Sequence, residues 1–143
     1  MNALRTATLC TILILAACGK SDAGNRVPVQ SRIVTPPSVG DMLNTIDQFK
    51  LTVVELGSVN CRPCKMMTPV LERLSSDYAG TVQVVFFDVW QNQAPAEHYR
   101  IQSIPVQIIL DPTGHELYRH VGFIPYDNLK GIIEQLLARG AKK

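Results

Sequence analysis

The sequence is poor in the features that mark most functional classes. Among 143 residues there are only four cysteines, three histidines and one tryptophan, and the charged residues nearly cancel at a net +2. That balance leaves no basic footprint for a nucleic acid. No G-x-G-x-x-G turn is present to seat a dinucleotide. The apolar run near the N-terminus, Ala7 to Ala17, is shorter than the ~20 residues a membrane span needs, and with Arg5 ahead of it reads as a secretory signal peptide. No internal repeat is visible. Once the N-terminal segment is set aside, the length suits one domain large enough to bury a core.

What the chain does have is concentrated between Val53 and Leu74. Val53, Val54 and Leu56 read as an interior strand, and Gly57, Ser58 and Asn60 as a turn. A helix then starts at Cys61-Arg62-Pro63-Cys64, with Pro63 in its first turn, where a missing N–H is harmless. Met66, Met67, Val70, Leu71, Leu74 and Tyr78 recur at helical spacing and predict the stripe laid against a sheet. Cys61 therefore sits at a helix N-terminus, where unpaired N–H groups and the macrodipole favour a thiolate. Two thiolates at this spacing suit redox exchange or half of a zinc or copper site. His115 and His120, the only closely spaced histidines, lie some fifty residues on, and their odd separation turns them to opposite faces of a shared strand.

These residues carry a family resemblance. Cys61-Arg62-Pro63-Cys64-Lys65, Pro69 five residues after the second cysteine, Ile104-Pro105 ahead of a β-run, and Gly122 before the last helix together resemble the thioredoxin family, over about Ser38 to Arg139. The resemblance implies a thiol-disulfide oxidoreductase in which Cys61 attacks a substrate disulfide and Cys64 resolves the mixed disulfide. It also implies that Pro105 is the family's cis-proline beside the cysteines, with Ile104 free to pair with a bound peptide. The plainer reading of Pro105 is a trans proline opening a strand. Glu55 stands where the family keeps a buried acid beneath the second cysteine. Burial among Val53, Val54 and Leu56 should raise its pKa and suit it to proton exchange with Cys64, although a structural salt bridge is the alternative. Arg62, Pro63 and Lys65 are the candidates for tuning the thiolate. Three positions depart from the family's pattern: Asn60 replaces the tryptophan before the first cysteine, Arg62 the glycine between the cysteines, and Phe86 a buried lysine. Trp90, the only tryptophan, lies elsewhere in the chain.

The remaining sequence is read around that centre. Leu15-Ala16-Ala17-Cys18 resembles the bacterial lipoprotein cleavage box, so residues 1–17 are expected to be removed and Cys18 to be lipidated; ordinary secretory cleavage is the alternative. Each acyl CH₂ adds about 0.8 kcal/mol of membrane affinity. Cys10 would leave with the signal peptide, and Cys61 and Cys64 would remain as the one pair. Residues 18–37, polar and with three prolines, read as a tether spanning roughly 25 Å as a coil. Ser31 to Thr35 is a candidate short edge strand.

The domain is expected over 38–143, beginning with a helix from Ser38 to about Phe49 whose apolar face is Met42, Leu43, Ile46 and Phe49. Further strands are predicted at Val82 to Val89 and Ile104 to Leu110, and a short helix between them at Asn92 to Arg100. An Asp111-Pro112-Thr113-Gly114 turn into a hairpin strand through Val121 and a final amphipathic helix from near Pro125 to Gly140 follow. Strands joined through helices and then a hairpin imply an α/β fold, a mixed central sheet with helices on both faces.

The expected function is a membrane-tethered, periplasmic reductant of protein disulfides, working as a monomer without a cofactor. Its expected partners are disulfide-containing proteins and, since it has no second redox pair, a transmembrane thiol carrier of the cytochrome-c-biogenesis type. An oxidase using the same cysteines and a metal-binding module are the rivals.

Overall fold

The computed structural model describes residues 33–140. The predicted signal peptide, Cys10, Cys18 and most of the tether lie outside the described residues. The chain runs α1 (Val39–Leu43), a short 3₁₀ turn (Ile46–Gln48), β1 (Leu51–Gly57), α2 (Arg62–Asp77), β2 (Val82–Asp88), α3 (Ala94–His98), β3 (Val106–Leu110), β4 (Glu116–Val121) and α4 (Tyr126–Gly140).

Among the described residues the four strands form one mixed sheet in the order β2-β1-β3-β4. β1 runs parallel to β2, reached through α2, and antiparallel to β3, which continues into the antiparallel β3–β4 hairpin. The turn between β3 and β4 closes with Gly114 N–H donating to the Asp111 carbonyl at 3.0 Å, as the sequence of that turn predicts.

β1 is buried along its whole length because both its faces are covered, which is why it reads as a nearly continuous apolar run. On one face Val53, Val84 and Ile109 pack with Met67, Leu71 and Leu74 of α2 and Leu129 and Ile133 of α4. On the other, Val54, Leu56, Val85 and Ile108 pack with Met42, Ile46 and Tyr99. Each fully buried aliphatic side chain in these layers contributes roughly 1.5–3 kcal/mol.

Two expectations are corrected here. The first helix does not run from Ser38 to Phe49: Ser38 caps it, its Oγ accepting from Asp41 N–H, but it stops at Leu43 and a separate 3₁₀ turn carries Ile46. Thr45 stands between them with a non-helical backbone, and its hydroxyl donates to the Met42 carbonyl at 3.0 Å. The break turns Leu43 outward while Met42 and Ile46 stay buried. Met66, placed by spacing in the α2 stripe, is 51% exposed, because the buried arc is narrower than the apolar sequence pattern. Within the candidate edge strand at Ser31 to Thr35, one pairing is present among the described residues. Val34 forms an isolated parallel bridge to Val85, its N–H donating to Val84 O at 2.9 Å and its carbonyl accepting from Phe86 N–H at 2.8 Å.

Candidate functional site

The site is built where β1 ends and α2 begins. Gly57 closes β1, the turn Ser58–Asn60 follows, and Cys61 N–H donates to the Ser58 carbonyl at 3.1 Å. Cys61 is the N-cap of α2, with extended backbone, and its Sγ accepts from Cys64 N–H at 3.4 Å. The Cys64 amide of the first turn thus points at the sulfur of Cys61, and negative charge at a helix N-terminus is stabilised. Pro63 lies in that first turn.

Cys61 and Cys64 are joined in a disulfide with Cα atoms 5.2 Å apart. In the disulfide Cys61 and Cys64 are both buried, 7% and 5% exposed. What separates them is place in the helix, one capping it and the other inside its first turn.

Gly57 lets the helix approach this closely. A Cβ there would lie 3.3 Å from Cys64 Cβ and 3.4 Å from both Cys64 Sγ and Glu55 Oε1. The sulfur and the carboxyl oxygen therefore sit on either side of one small gap, separated by at most twice the latter distance.

Glu55 is 1% exposed. Its Oε2 accepts from Gln107 Nε2 at 2.9 Å, while its Oε1 has no hydrogen-bond partner among the described residues. Burial drives the carboxyl pKa up to about 8, against a smaller lowering by the Gln107 amide. No cation compensates the buried carboxyl among the described ion pairs, so the salt-bridge alternative does not describe it. Phe86, at the position of the family's buried lysine, instead lines a cavity of about 180 Å³ with Glu55, Cys64, Ile33 and Lys65.

The Ile104–Pro105 peptide bond is cis. Register puts it at the same end of the sheet: Val106 pairs with Leu56, and Pro105 O accepts from Gly122 N–H at 2.8 Å. Arg62, Pro63 and Lys65 are exposed on the first turn of α2. Neither cation joins an ion pair among the described residues.

The histidines stay apart from the cysteines in the hydrogen-bond pattern. His115 lies in the β3–β4 turn with Nδ1 2.9 Å from Thr113 Oγ1, and His120 Nε2 is 3.3 Å from Phe123 O. Among the described residues no cluster of three or more His, Cys, Asp or Glu could hold a metal ion.

Two features escaped the sequence reading. Gln107 is a polar residue inside an apolar strand, and that interruption was the available signal; it faces Glu55 directly across the β1–β3 register. Asp88 ties the loop before Cys61 to the loop after β2. Its Oδ2 accepts from Val59 N–H at 3.1 Å and its Oδ1 from Trp90 N–H at 3.0 Å. Desolvation pushes the Asp88 carboxyl up, but these backbone donors, with the Ser58 hydroxyl and the Gln91 amide, together outweigh it and hold the carboxyl below its usual pKa. Trp90, set aside as lying elsewhere, is therefore fixed to the same carboxylate as the active-site loop, and it is 61% exposed.

The thioredoxin family model matches residues 41–135. A thioredoxin of Staphylococcus saprophyticus is 37% identical over 90 residues, covering 63% of this chain and 86% of its own. Thioredoxins of Staphylococcus aureus are 36% identical over 85 residues, covering 59% of this chain and 81% of theirs. Among solved structures, a mutant thioredoxin from Halobacterium salinarum superposes with a TM-score of 0.68 over 75% of this chain and 92% of its own, at 23% identity.

Proposed function

Because the chain belongs to the thioredoxin family and is a thiol-disulfide oxidoreductase, we propose that it is a membrane-tethered reductant of protein disulfides outside the cytoplasm. The observation that carries the chemistry is the Cys61–Cys64 pair at the start of α2, with the buried Glu55 carboxyl behind it.

In the reduced protein the Cys61 thiolate attacks one sulfur of a substrate disulfide. A Cys61–substrate bond forms as the substrate S–S bond breaks, and the first substrate thiolate leaves. Cys64 then loses its proton and attacks Cys61 Sγ. The intramolecular disulfide forms, the second substrate thiolate departs and takes up a proton, and two electrons have passed from the cysteine pair to the substrate. In this reading Glu55 accepts the Cys64 proton beside Gly57, directly or through one water; the support is that Glu55 Oε1 and Cys64 Sγ border the same space. A carboxyl titrating at about 8 can take up a proton near neutral pH and hand it on. In the same reading the backbone of Ile104, next to Pro105, pairs with the substrate segment.

The oxidised pair needs an outside reductant, since the described residues hold one disulfide and the sequence has no dinucleotide turn. A transmembrane thiol carrier supplies electrons in this reading. Lipid at Cys18 holds both partners near one surface, raising their effective concentration. Support for the anchor is the Leu15-Ala16-Ala17-Cys18 box.

Arg62 favours a second reading. A cation beside the thiolate stabilises the reduced form and makes the pair more oxidising, which suits a disulfide-forming oxidase. Thiol trapping in cells with and without the carrier decides. Free Cys61 and Cys64 in carrier-competent cells, lost when the carrier is deleted, support the reductant. A disulfide that persists with the carrier present, and opens only when an oxidant system is removed, refutes it. Release of a Cys18→Ser variant from membranes tests the anchor; an unmodified N-terminus in the intact mass would remove it.

A further inference from the structure

The Glu55–Gln107 contact is asymmetric in a way that the reaction alone does not require. Glu55 has two carboxyl oxygens. One, Oε2, receives the Gln107 amide at 2.9 Å; the other, Oε1, is buried and has no partner among the described residues. The partnerless oxygen lies 3.4 Å from the point where a Cβ on Gly57 would stand, and Cys64 Sγ lies at the same distance from that point. The free oxygen is thus the one turned toward the gap shared with the resolving sulfur.

Gln107 itself is 0% exposed and fixed by the sheet, opposite Glu55 in the β1–β3 register. Its own Oε1 is also buried without a partner. An amide presents a donor and an acceptor on one plane, so it can serve either protonation state of a carboxyl: its NH₂ meets the carboxylate, and after turning over its oxygen meets an O–H.

We propose that Gln107 is a positioning residue for proton exchange at Glu55: by holding Oε2 it fixes the carboxyl orientation and leaves Oε1 as the oxygen that trades a proton with Cys64. This rests on Glu55 being the proton acceptor of the resolving step. Among the described residues, the titratable or charged groups on the elements around the carboxyl are few. Cys64 and Lys65 of α2 line the same cavity, and His120 of β4 pairs with Gln107 one strand further on. From β2 the facing residue is the apolar Phe86, and from the N-terminal segment it is Ile33.

The proton balance is simple. The Cys64 thiol loses one proton, Glu55 Oε1 gains it, and Glu55 returns it to solvent or to the departing thiolate once the Cys61–Cys64 bond has closed. No other co-reactant is consumed.

The test replaces the amide by an apolar side chain of similar size, as Gln107→Leu and Gln107→Met, in the full chain. The Glu55 titration is read from its ¹³C carboxyl shift, and the resolving step from single-turnover reduction of dithiobis-nitrobenzoate across pH. Loss of the amide donor should move the Glu55 midpoint up by about one pH unit and lower the resolving rate at pH ~7 by roughly tenfold. The ionisation limb of the rate profile should move up with the midpoint. In a Glu55→Gln background the same substitutions should leave the rate profile where Glu55→Gln put it. Thermal unfolding at about pH 5, where the carboxyl is protonated, identifies a variant that has failed to fold, and the other apolar variant then carries the test. A Glu55 midpoint that stays in place or falls in a folded variant overturns the role of Gln107. A midpoint that rises while the rate profile of the parent is already indifferent to Glu55→Gln instead overturns the proton-acceptor reading beneath it.

Discussion

Two buried polar pairs cross from β1 to its neighbours, and they are finished differently. At one end Thr52 donates to Gln83 Oε1 at 3.3 Å, Gln83 Nε2 donates to Thr45 Oγ1 at 3.2 Å, and Thr45 donates to the Met42 carbonyl. This chain is neutral and complete, and it ties the segment around α1 to the sheet. At the other end Glu55 and Gln107 meet through a single bond and each keeps one oxygen without a partner. Buried polar groups are ordinarily satisfied, and an incomplete pair lowers stability. The completed pair does structural work alone. The incomplete one lies beside the disulfide, where an oxygen without a partner is free to take a proton.

The largest effect that could break this contrast is at the cysteines. Cys61→Ser should abolish disulfide exchange, while Cys64→Ser should accumulate mixed disulfides through Cys61. Non-reducing gels with mass spectrometry of the trapped adducts check both, and equal trapping by the two variants would mean that helix position does not assign their roles.

Next comes the pH dependence of stability. Glu55 titrates at about 8 in the folded protein against 4.5 for the free side chain. Between those values the unfolded chain has lost the proton that the native state still holds. Stability should therefore be fully present below the lower value and decline through the window, by roughly 4–5 kcal/mol in all. Glu55→Gln should flatten that decline. Denaturant midpoints at about pH 5 and about pH 8 measure it, and an unchanged slope in the variant would show that the carboxyl is not held protonated.

Thr52→Val should lower stability by about 1–2 kcal/mol by leaving Gln83 Oε1 alone, with no change in pH slope or reduction potential. A shift of the potential would erase the distinction between the pairs. The smallest expected effect is at Arg62. Its guanidinium is exposed and screened by water and salt. Arg62→Gly should raise the Cys61 pKa by a fraction of a pH unit and make the potential slightly more reducing. A lower thiol pKa in the variant would contradict the cation's role.

These pairs also mark what was legible in the sequence. The strand, turn and helix around Cys61 are local, and the period of the apolar residues reveals them directly. Glu55 could be recognised as buried because its neighbours on both sides are aliphatic. Its partner could not, because the facing of Glu55 and Gln107 is set by a β1–β3 register between segments half the domain apart. The same limit hid Asp88, whose carboxylate oxygens serve amides on two separate loops. The first helix was overextended because an apolar spacing through Met42 and Ile46 is compatible with one helix or with two short turns. The Thr45 hydroxyl bond to Met42 O accompanies the second.

Ile33 gives the site a mechanical side. It is a wall of the cavity that holds Glu55 and Cys64, and the next residue, Val34, is fastened to β2 by two backbone bonds. Tension applied to the chain ahead of Ile33 would load that short attachment first, and a strand bonded at one bridge peels more readily than one bonded along its length. Peeling would carry Ile33 away from the cavity, admit water, and withdraw the low-dielectric surroundings that keep the carboxyl protonated. Release of the Val34 bridge would thus be felt as a change of acidity beneath the Cys64 sulfur.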